Sequence, residues 1–342
     1  MSSTTILPFI LSLLISLASA QAASTHIVDP WPDSASIHGI RTLHLTFTSS
    51  DPFGPRDFGR APARTVGAEL FLPQDATPAA KVPAVVLLHG PTGDAADRAA
   101  TYGPPLAAMG IAVMVIETYA SRPDLGTGFL ERILSITESM FVADAYAAFR
   151  YLVSQPEIDP HNVVLVGFSY GGMAATYALY AQVANQLAPP GFRFAGHVAF
   201  YAPCIARFAD PRTTGAPLLM LYGAADQLVR ADRCGQVADD IRRGGSQVNV
   251  IVYPRAVHQW DGHDPPGVMG RQLADCRFAV ERDGTVRDER THLPMSGPFL
   301  RKFILGVCTG PPPYPIGRSP QTVVLSNRDF GRFLAHVFAT AR

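Results

Sequence analysis

The sequence predicts an α/β protein built on a mostly parallel, twisted sheet of eight strands with helices on both faces. From residue 82 onward, short runs rich in β-branched and aliphatic residues lack strict alternation, as strands covered on both faces do. Helix-length amphipathic stretches lie between those runs, and repeated strand-helix-strand order implies parallel strands joined by crossover helices. A length of 342 residues with 47% hydrophobic side chains excludes disordered and fibrous classes and suffices for one large core.

The elements follow in order. Residues 41–48 alternate, with Leu43, Leu45 and Phe47 against Thr42, His44 and Thr46, which reads as a half-buried strand. Residues 66–72 form a second strand, and the two, joined through residues 51–64, make an antiparallel sheet edge. The buried strands fall at 82–88, 111–116, 163–166, 197–201, 217–222 and 248–253. The helices fall at 96–109, 141–155, 172–186 and 231–244, with glycine or proline where elements turn over. Beyond His258 the pattern loosens into a hairpin over 276–286 turning at Asp283-Gly284, an extended proline-rich segment at 311–315, and a terminal amphipathic helix over 327–341. A single domain over residues 39–342, with a C-terminal extension from about 265, accommodates all of this.

Residues 5–20 carry no charge and end in Ala18-Ser19-Ala20, so residues 1–20 read as a signal peptide cleaved after Ala20, with Ala23 as the alternative. The apolar run is shorter than the ~20 residues that span a bilayer. The expectation is a secreted or periplasmic protein with no stable membrane span after cleavage. An even count of four cysteines in an exported chain (Cys204, Cys234, Cys276, Cys308) suggests disulfides, with three pairings open. None of them has the spacing or histidine company of a zinc site. Basic and acidic side chains balance at 28 each, which gives no general attraction to nucleic acid or anionic membrane. The chain has no internal repeat, phosphate-binding loop or nucleotide fingerprint.

The strongest chemical signal is Gly167-Phe168-Ser169-Tyr170-Gly171-Gly172, which follows an apolar strand and opens a helix. A strand running straight into a helix forces a tight turn that lifts the intervening hydroxyl above the sheet edge. The helix start beyond Ser169 supplies oriented amides, including that of Tyr170, for developing negative charge. A serine needs a base, and acid and histidine follow downstream in that order. Asp226 stands just beyond the strand at 217–222, and His258 beyond the strand at 248–253, so both emerge on the rim that carries Ser169. Asp232 and Asp261 compete for the acid role, and His161, His197, His263 and His292 are ordinary histidines in this reading. The second oxyanion donor belongs in His89-Gly90-Pro91-Thr92-Gly93. Pro91 has no amide hydrogen, so the donor shifts to Thr92, with Gly93 the alternative. Strand-end position adds Tyr119, Arg122, Tyr170, Tyr201 and Trp260 as pocket candidates, with packing the competing use of Tyr201 and Trp260 and a loop or helix-surface place that of Tyr119 and Tyr170. Arg122 has the donors to hold a substrate carboxylate bidentately, and a salt bridge is its competing use.

The order Ser169, Asp226, His258 behind His89-Gly90 resembles the α/β-hydrolase fold, and within it the dienelactone hydrolase family and its exported relatives. The supporting stretches are Asp159-Pro160 leading into the serine motif, Phe200-Tyr201-Ala202-Pro203-Cys204, Gly223-Ala224-Ala225-Asp226 with Cys234 following, and Tyr253 to Asp261 around the histidine. The resemblance covers roughly residues 66–262. It implies a serine hydrolase that cleaves small carboxylic esters or lactones through an acyl-enzyme, without metal or cofactor. It also implies a Cys204–Cys234 disulfide, which leaves Cys276–Cys308 as the second. The namesake enzymes use a cysteine nucleophile where this chain has Ser169. An exported peptidase or acyltransferase with the same triad, or a catalytically silent binding protein on the same fold, are the rival expectations.

Overall fold

The computed structural model describes residues 25–263, 265–270, 273–310 and 313–340; the signal peptide expected at residues 1–20 and both expected cleavage positions lie outside the described residues. An antiparallel pair opens the chain, β1 (Arg41–Ser50) and β2 (Ala63–Leu72). Then come β3 (Val82–Leu88), α1 (Ala95–Ala108), β4 (Ala112–Ile116), α2 (Phe129–Ser135), α3 (Glu138–Val153), β5 (Ile158–Phe168), α4 (Tyr170–Tyr177), α5 (Ala181–Leu187) and β6 (Gly196–Phe200). After the short β7 (Ala206–Phe208), the series closes with β8 (Leu218–Gly223), α6 (Ala231–Arg243) and β9 (Val248–Tyr253).

The main sheet has eight strands in the order β1-β2-β4-β3-β5-β6-β8-β9, parallel from β4 to β9 and antiparallel at the β1 and β2 edge. Every side chain of β3, β4 and β8 is buried, which is why these runs are continuously apolar. The edge strand β1 is drier on paper than in space: Leu43 is exposed and only Phe47 and Ser49 are buried. The chain moves from β3 outward to β4 and then back across to β5. Right-handed crossovers in opposite directions put α1 and α3 on opposite faces and open a crevice at the carboxyl ends of β3 and β5.

One predicted helix does not survive intact. Residues 172–186 break into α4 and α5, because the chain between them is captured by tertiary contacts. Tyr180 bridges Thr213, its ring stacks on Phe208 at 3.8 Å, and Ala181 N donates to Arg212 O at 2.9 Å.

The C-terminal stretch adds β10 (Gly267–Met269), β11 (Phe278–Val280), β12 (Val286–Asp288), α7 (Pro298–Cys308), β13 (Tyr314–Ile316) and α8 (Pro320–Thr340). The hairpin at Asp283-Gly284 forms, with Gly284 at φ 83°, and β11 then pairs in parallel with β7. β10 and β13 form a separate antiparallel pair. The two disulfides are Cys204–Cys234, Cα atoms 5.1 Å apart, and Cys276–Cys308, 4.8 Å apart. The first ties the loop after β6 to α6, and the second ties the stretch before β11 to the end of α7. Among the described residues no helix is long and apolar enough to cross a membrane.

His197 of β6 is fully buried, with Nδ1–H donating to Ala175 O at 2.8 Å, and burial pushes its pKa down from 6.5 to about 4. The unfolded chain takes up a proton there below pH 6.5, whereas the folded protein does not until about 4. Stability should therefore fall as pH drops through that window, by on the order of 3 kcal/mol from this group. His197→Asn, which keeps a donor for Ala175, should flatten the acid limb of the urea midpoint against pH. An unchanged slope in that variant would refute the assignment.

Candidate active site

Four strand ends converge on one rim: β3 delivers His89, β5 delivers Ser169, and the loops after β8 and β9 carry Asp226 and His258. Ser169 sits at φ 52°, a left-handed conformation that costs a residue with a side chain, and its neighbours impose it. Its amide still donates to Phe200 O at 2.9 Å as if the strand continued, while its carbonyl accepts the Met173 amide at 3.0 Å and starts α4. The flanking glycines are required by space. A Cβ on Gly167 would overlap the Gly171 carbonyl, and one on Gly171 would overlap the Leu88 carbonyl.

His258 Nε2 lies 2.8 Å from Ser169 Oγ, and Nδ1 lies 2.8 Å from Asp226 Oδ2. The other oxygen of Asp226 accepts the Leu228 amide at 2.9 Å, which fixes the carboxylate plane. With the carboxylate as acceptor, Nδ1 carries the ring proton and Nε2 is left to accept from the serine hydroxyl. Ser169 and His258 are each 2% exposed and Asp226 is 5% exposed, so solvent competes little with these hydrogen bonds. The C-terminal stretch clamps the histidine: Gly317 N donates to His258 O at 3.1 Å, and the Tyr314 ring stands edge-on to the imidazole at 5.7 Å.

Opposite the histidine, the loop after β3 folds into a tight turn. His89 is buried, which lowers its pKa and keeps the ring neutral, and its Nδ1–H donates to Gly90 O at 2.7 Å. The Gly93 amide closes the turn onto Gly90 O at 3.3 Å and is thereby occupied. The Thr92 amide has no acceptor among the described residues, so of the two alternatives the turn leaves Thr92 free. Tyr170 opens α4, where a helix amide has no internal acceptor, and its phenol is tied away to Ile136 O at 3.0 Å.

Behind the site lies a buried charge cluster. Asp261 accepts from Arg98 Nη1 at 2.5 Å, Tyr102 Oη at 2.6 Å and Tyr201 Oη at 2.5 Å. Arg98 also donates to Asp94 at 3.0 Å, and Asp94 accepts the Gly90 amide at 3.3 Å. The guanidinium of Arg98 covers the Phe168 ring at 4.4 Å. One cation thus touches the serine turn, the histidine loop and the segment that follows the turn after β3. Burial alone would lower the Arg98 pKa, but the Asp261 carboxylate raises it overall, and burial pushes both phenols up so that they stay donors.

Three pocket candidates are corrected. Arg122 is 0% exposed and cannot reach a substrate carboxylate: it grips Asp144 bidentately at 2.7 and 2.8 Å, and its Nε donates to Asp51 at 2.8 Å. Trp260 is also 0% exposed, donating Nε1–H to Ser326 Oγ at 3.1 Å, so it is a packing aromatic and not a pocket wall. Tyr201 is fully buried as well, its ring edge-on to His258 at 4.9 Å, and it supports the imidazole from behind. Tyr119, 2% exposed, stays beside the loop after β3, with its ring 5.1 Å from His89. Sequence reasoning missed Arg98, whose signal is a lone cation on the apolar face of the helix that carries Tyr102 and Leu106. It weighed Asp261 only as a rival to Asp226, and the structure gives that carboxylate to Arg98 and the two phenols.

A serine, an imidazole and a carboxylate in this relation, on the carboxyl rim of a mostly parallel sheet, define a serine hydrolase of the α/β-hydrolase class. A model of the dienelactone hydrolase family matches residues 66–274, more than half of the chain, and the protein belongs to that family. Among solved structures the chain is similar to a putative dienelactone hydrolase from Klebsiella pneumoniae, with 18% identity, 64% of this chain and 89% of that one covered, and a TM-score of 0.46. It is also similar to esterase 2 of Thermogutta terrifontis, with 17% identity, coverage of 58% and 81%, and a TM-score of 0.45. Acylamino-acid-releasing enzyme 2 of Oryza sativa is 22% identical over 214 residues, which cover 52% of this chain and only 27% of that protein.

Proposed function

We propose that this protein is an exported carboxylic ester hydrolase acting on small esters or lactones. The observation that carries the reading is the unbroken chain from Ser169 Oγ through His258 to Asp226, two hydrogen bonds of 2.8 Å each. Ser169 attacks the ester carbonyl while His258 Nε2 takes its proton. The amides of Tyr170 and Thr92 receive the oxyanion, and Asp226 stabilises the imidazolium. His258 then protonates the leaving alcohol and afterwards activates the water that releases the acid. Export into an oxidising compartment, secreted or periplasmic, is supported by the two disulfides. The peptidase and acyltransferase readings use the same three residues and differ only in what leaves and what accepts.

The test is labelling. A fluorophosphonate should modify the folded protein at one equivalent, on Ser169, and turnover of short-chain p-nitrophenyl esters should stop in proportion. Folded protein that neither labels nor turns over such esters would overturn the reading in favour of a silent binding protein. Product analysis with peptide and alcohol acceptors separates the remaining two.

A further inference from the structure

Pro91 removes a hydrogen-bond donor from the loop after β3, and the side-chain amide of Gln259 lies beside Gly90 in that same loop. We propose that Gln259 is a catalytic residue whose side-chain amide donates to the carbonyl oxygen of the substrate as it becomes an oxyanion. The proposal rests on the assignment of Ser169 as nucleophile and adds a third donor beside Tyr170 and Thr92.

Three observations point to Gln259. First, it directly follows His258 and adopts φ 58°, a left-handed conformation that glycine takes freely and glutamine does not. Strain of this kind persists only where the surroundings impose it and clusters at functional sites. Here the surroundings are plain: the His258 carbonyl accepts Gly317 N at 3.1 Å, the Gln259 carbonyl accepts Gly262 N at 3.0 Å, and the Trp260 carbonyl accepts Ser319 N at 2.8 Å. Asp261, two residues on, is anchored by Arg98, Tyr102 and Tyr201.

Second, the held backbone sends the side chain across the rim. Gln259 Nε2 lies 3.8 Å from the point where a Cβ on Gly90 would stand, and the Phe168 carbonyl oxygen lies 3.7 Å from that same point. The amide therefore lies beside Gly90 in the loop after β3, a place that the Phe168 carbonyl oxygen and, at 3.8 Å from the same point, Asp94 Oδ1 also border. Gly90 leaves this space open because it has no side chain.

Third, the Gln259 amide makes no hydrogen bond among the described residues, although the side chain is partly buried. A neutral amide at this place favours an oxygen that gains charge during the reaction over the uncharged ester oxygen that precedes it, because a hydrogen bond to an ionised acceptor is the stronger one.

Three variants test it, each assayed by p-nitrophenyl ester turnover and by thermal melting. Gln259→Leu keeps the bulk and loses the donor. Gln259→Glu keeps the length and replaces the donor with an acceptor. Gln259→Gly loses the donor and relieves the left-handed backbone, so it remains folded even where the others do not. The expected result is a fall in kcat of roughly 100-fold, with KM within about threefold, in Gln259→Gly and Gln259→Leu, and a larger fall in Gln259→Glu. A Gln259→Gly enzyme that melts no lower than the parent yet turns over slowly would separate the donor from a packing role. Parental kcat in that variant would overturn the proposal, as would a loss expressed wholly in KM. Labelling of Ser169 in the unmodified protein keeps the two failures apart: a parent that labels while the Gln259 variants match its kcat sinks only the role of Gln259, and a parent that does not label sinks the assignment of Ser169 itself.

Discussion

Ser169→Ala is expected to lower kcat for small esters by roughly 10^4- to 10^6-fold while leaving the fold intact. The reason is that His258 and Asp226 act through the serine oxygen. Among the described residues Ser169 Oγ is the hydrogen-bond partner of His258 Nε2, and Asp226 only orients and stabilises that imidazole. The removed hydroxyl leaves a small gap against His258, and the backbone turn is held by Phe200 O and Met173 N, which the substitution does not touch. Far-UV circular dichroism and melting should match the parent within a few degrees, and residual hydrolysis should reflect only the oxyanion donors. Ester turnover within tenfold of the parent, in protein free of contaminating hydrolase, would show that another residue is the nucleophile.

Asp261→Ala is expected to be the most destabilising single change near the site, costing about 3–5 kcal/mol. It strips a buried guanidinium of its closest carboxylate and leaves the phenols of Tyr102 and Tyr201 without an acceptor. Arg98 retains Asp94, which softens the effect without removing it. In a chain of this size the melting temperature should drop by roughly 4–7 °C. Asp261→Asn, which keeps an acceptor and loses the charge, should fall between. Asp232→Ala is the control: Asp232 pairs with Arg230 on the surface, both about half exposed, and its loss should stay within ~0.5 kcal/mol. Equal urea midpoints for the Asp261 and Asp232 variants would refute the charge cluster as the brace of the site. Activity should decline along with stability in Asp261→Ala, since the same carboxylate fixes the loop that begins at His258.

The contrast between Arg122 and Arg98 shows where legibility stops. Both are arginines near strand ends or on the helix facing them, and composition gives no way to rank them. Arg122 is claimed by Asp144, 22 residues on, and by Asp51, 71 residues back. Arg98 meets Asp261 across 163 residues. Charges that far apart in sequence leave no local periodicity, so an arginine weighed between a substrate carboxylate and a surface salt bridge proves to be sealed inside the protein. The break between α4 and α5 has the same origin: residues 172–186 have helical patterning throughout, and Tyr180 leaves it because Phe208 and Thr213 offer contacts that the helix does not. The clamp of Gly317 on His258 was equally out of reach, since nothing in a loosely patterned C-terminal stretch marks it as part of the site.

What the residues determined by themselves was the sheet, its strand ends and the three side chains that stand on them. Those depend on local rules: apolar runs become buried strands, a glycine-flanked serine between strand and helix must turn sharply, and residues that follow parallel strands share one rim. What tertiary structure alone decided was which polar groups are withdrawn from water and into whose company. That choice gave Arg122 to the interior, Asp261 to Arg98, and Gln259 a strained backbone beside His258, because desolvation and ion pairing depend on distance in space and not on distance along the chain.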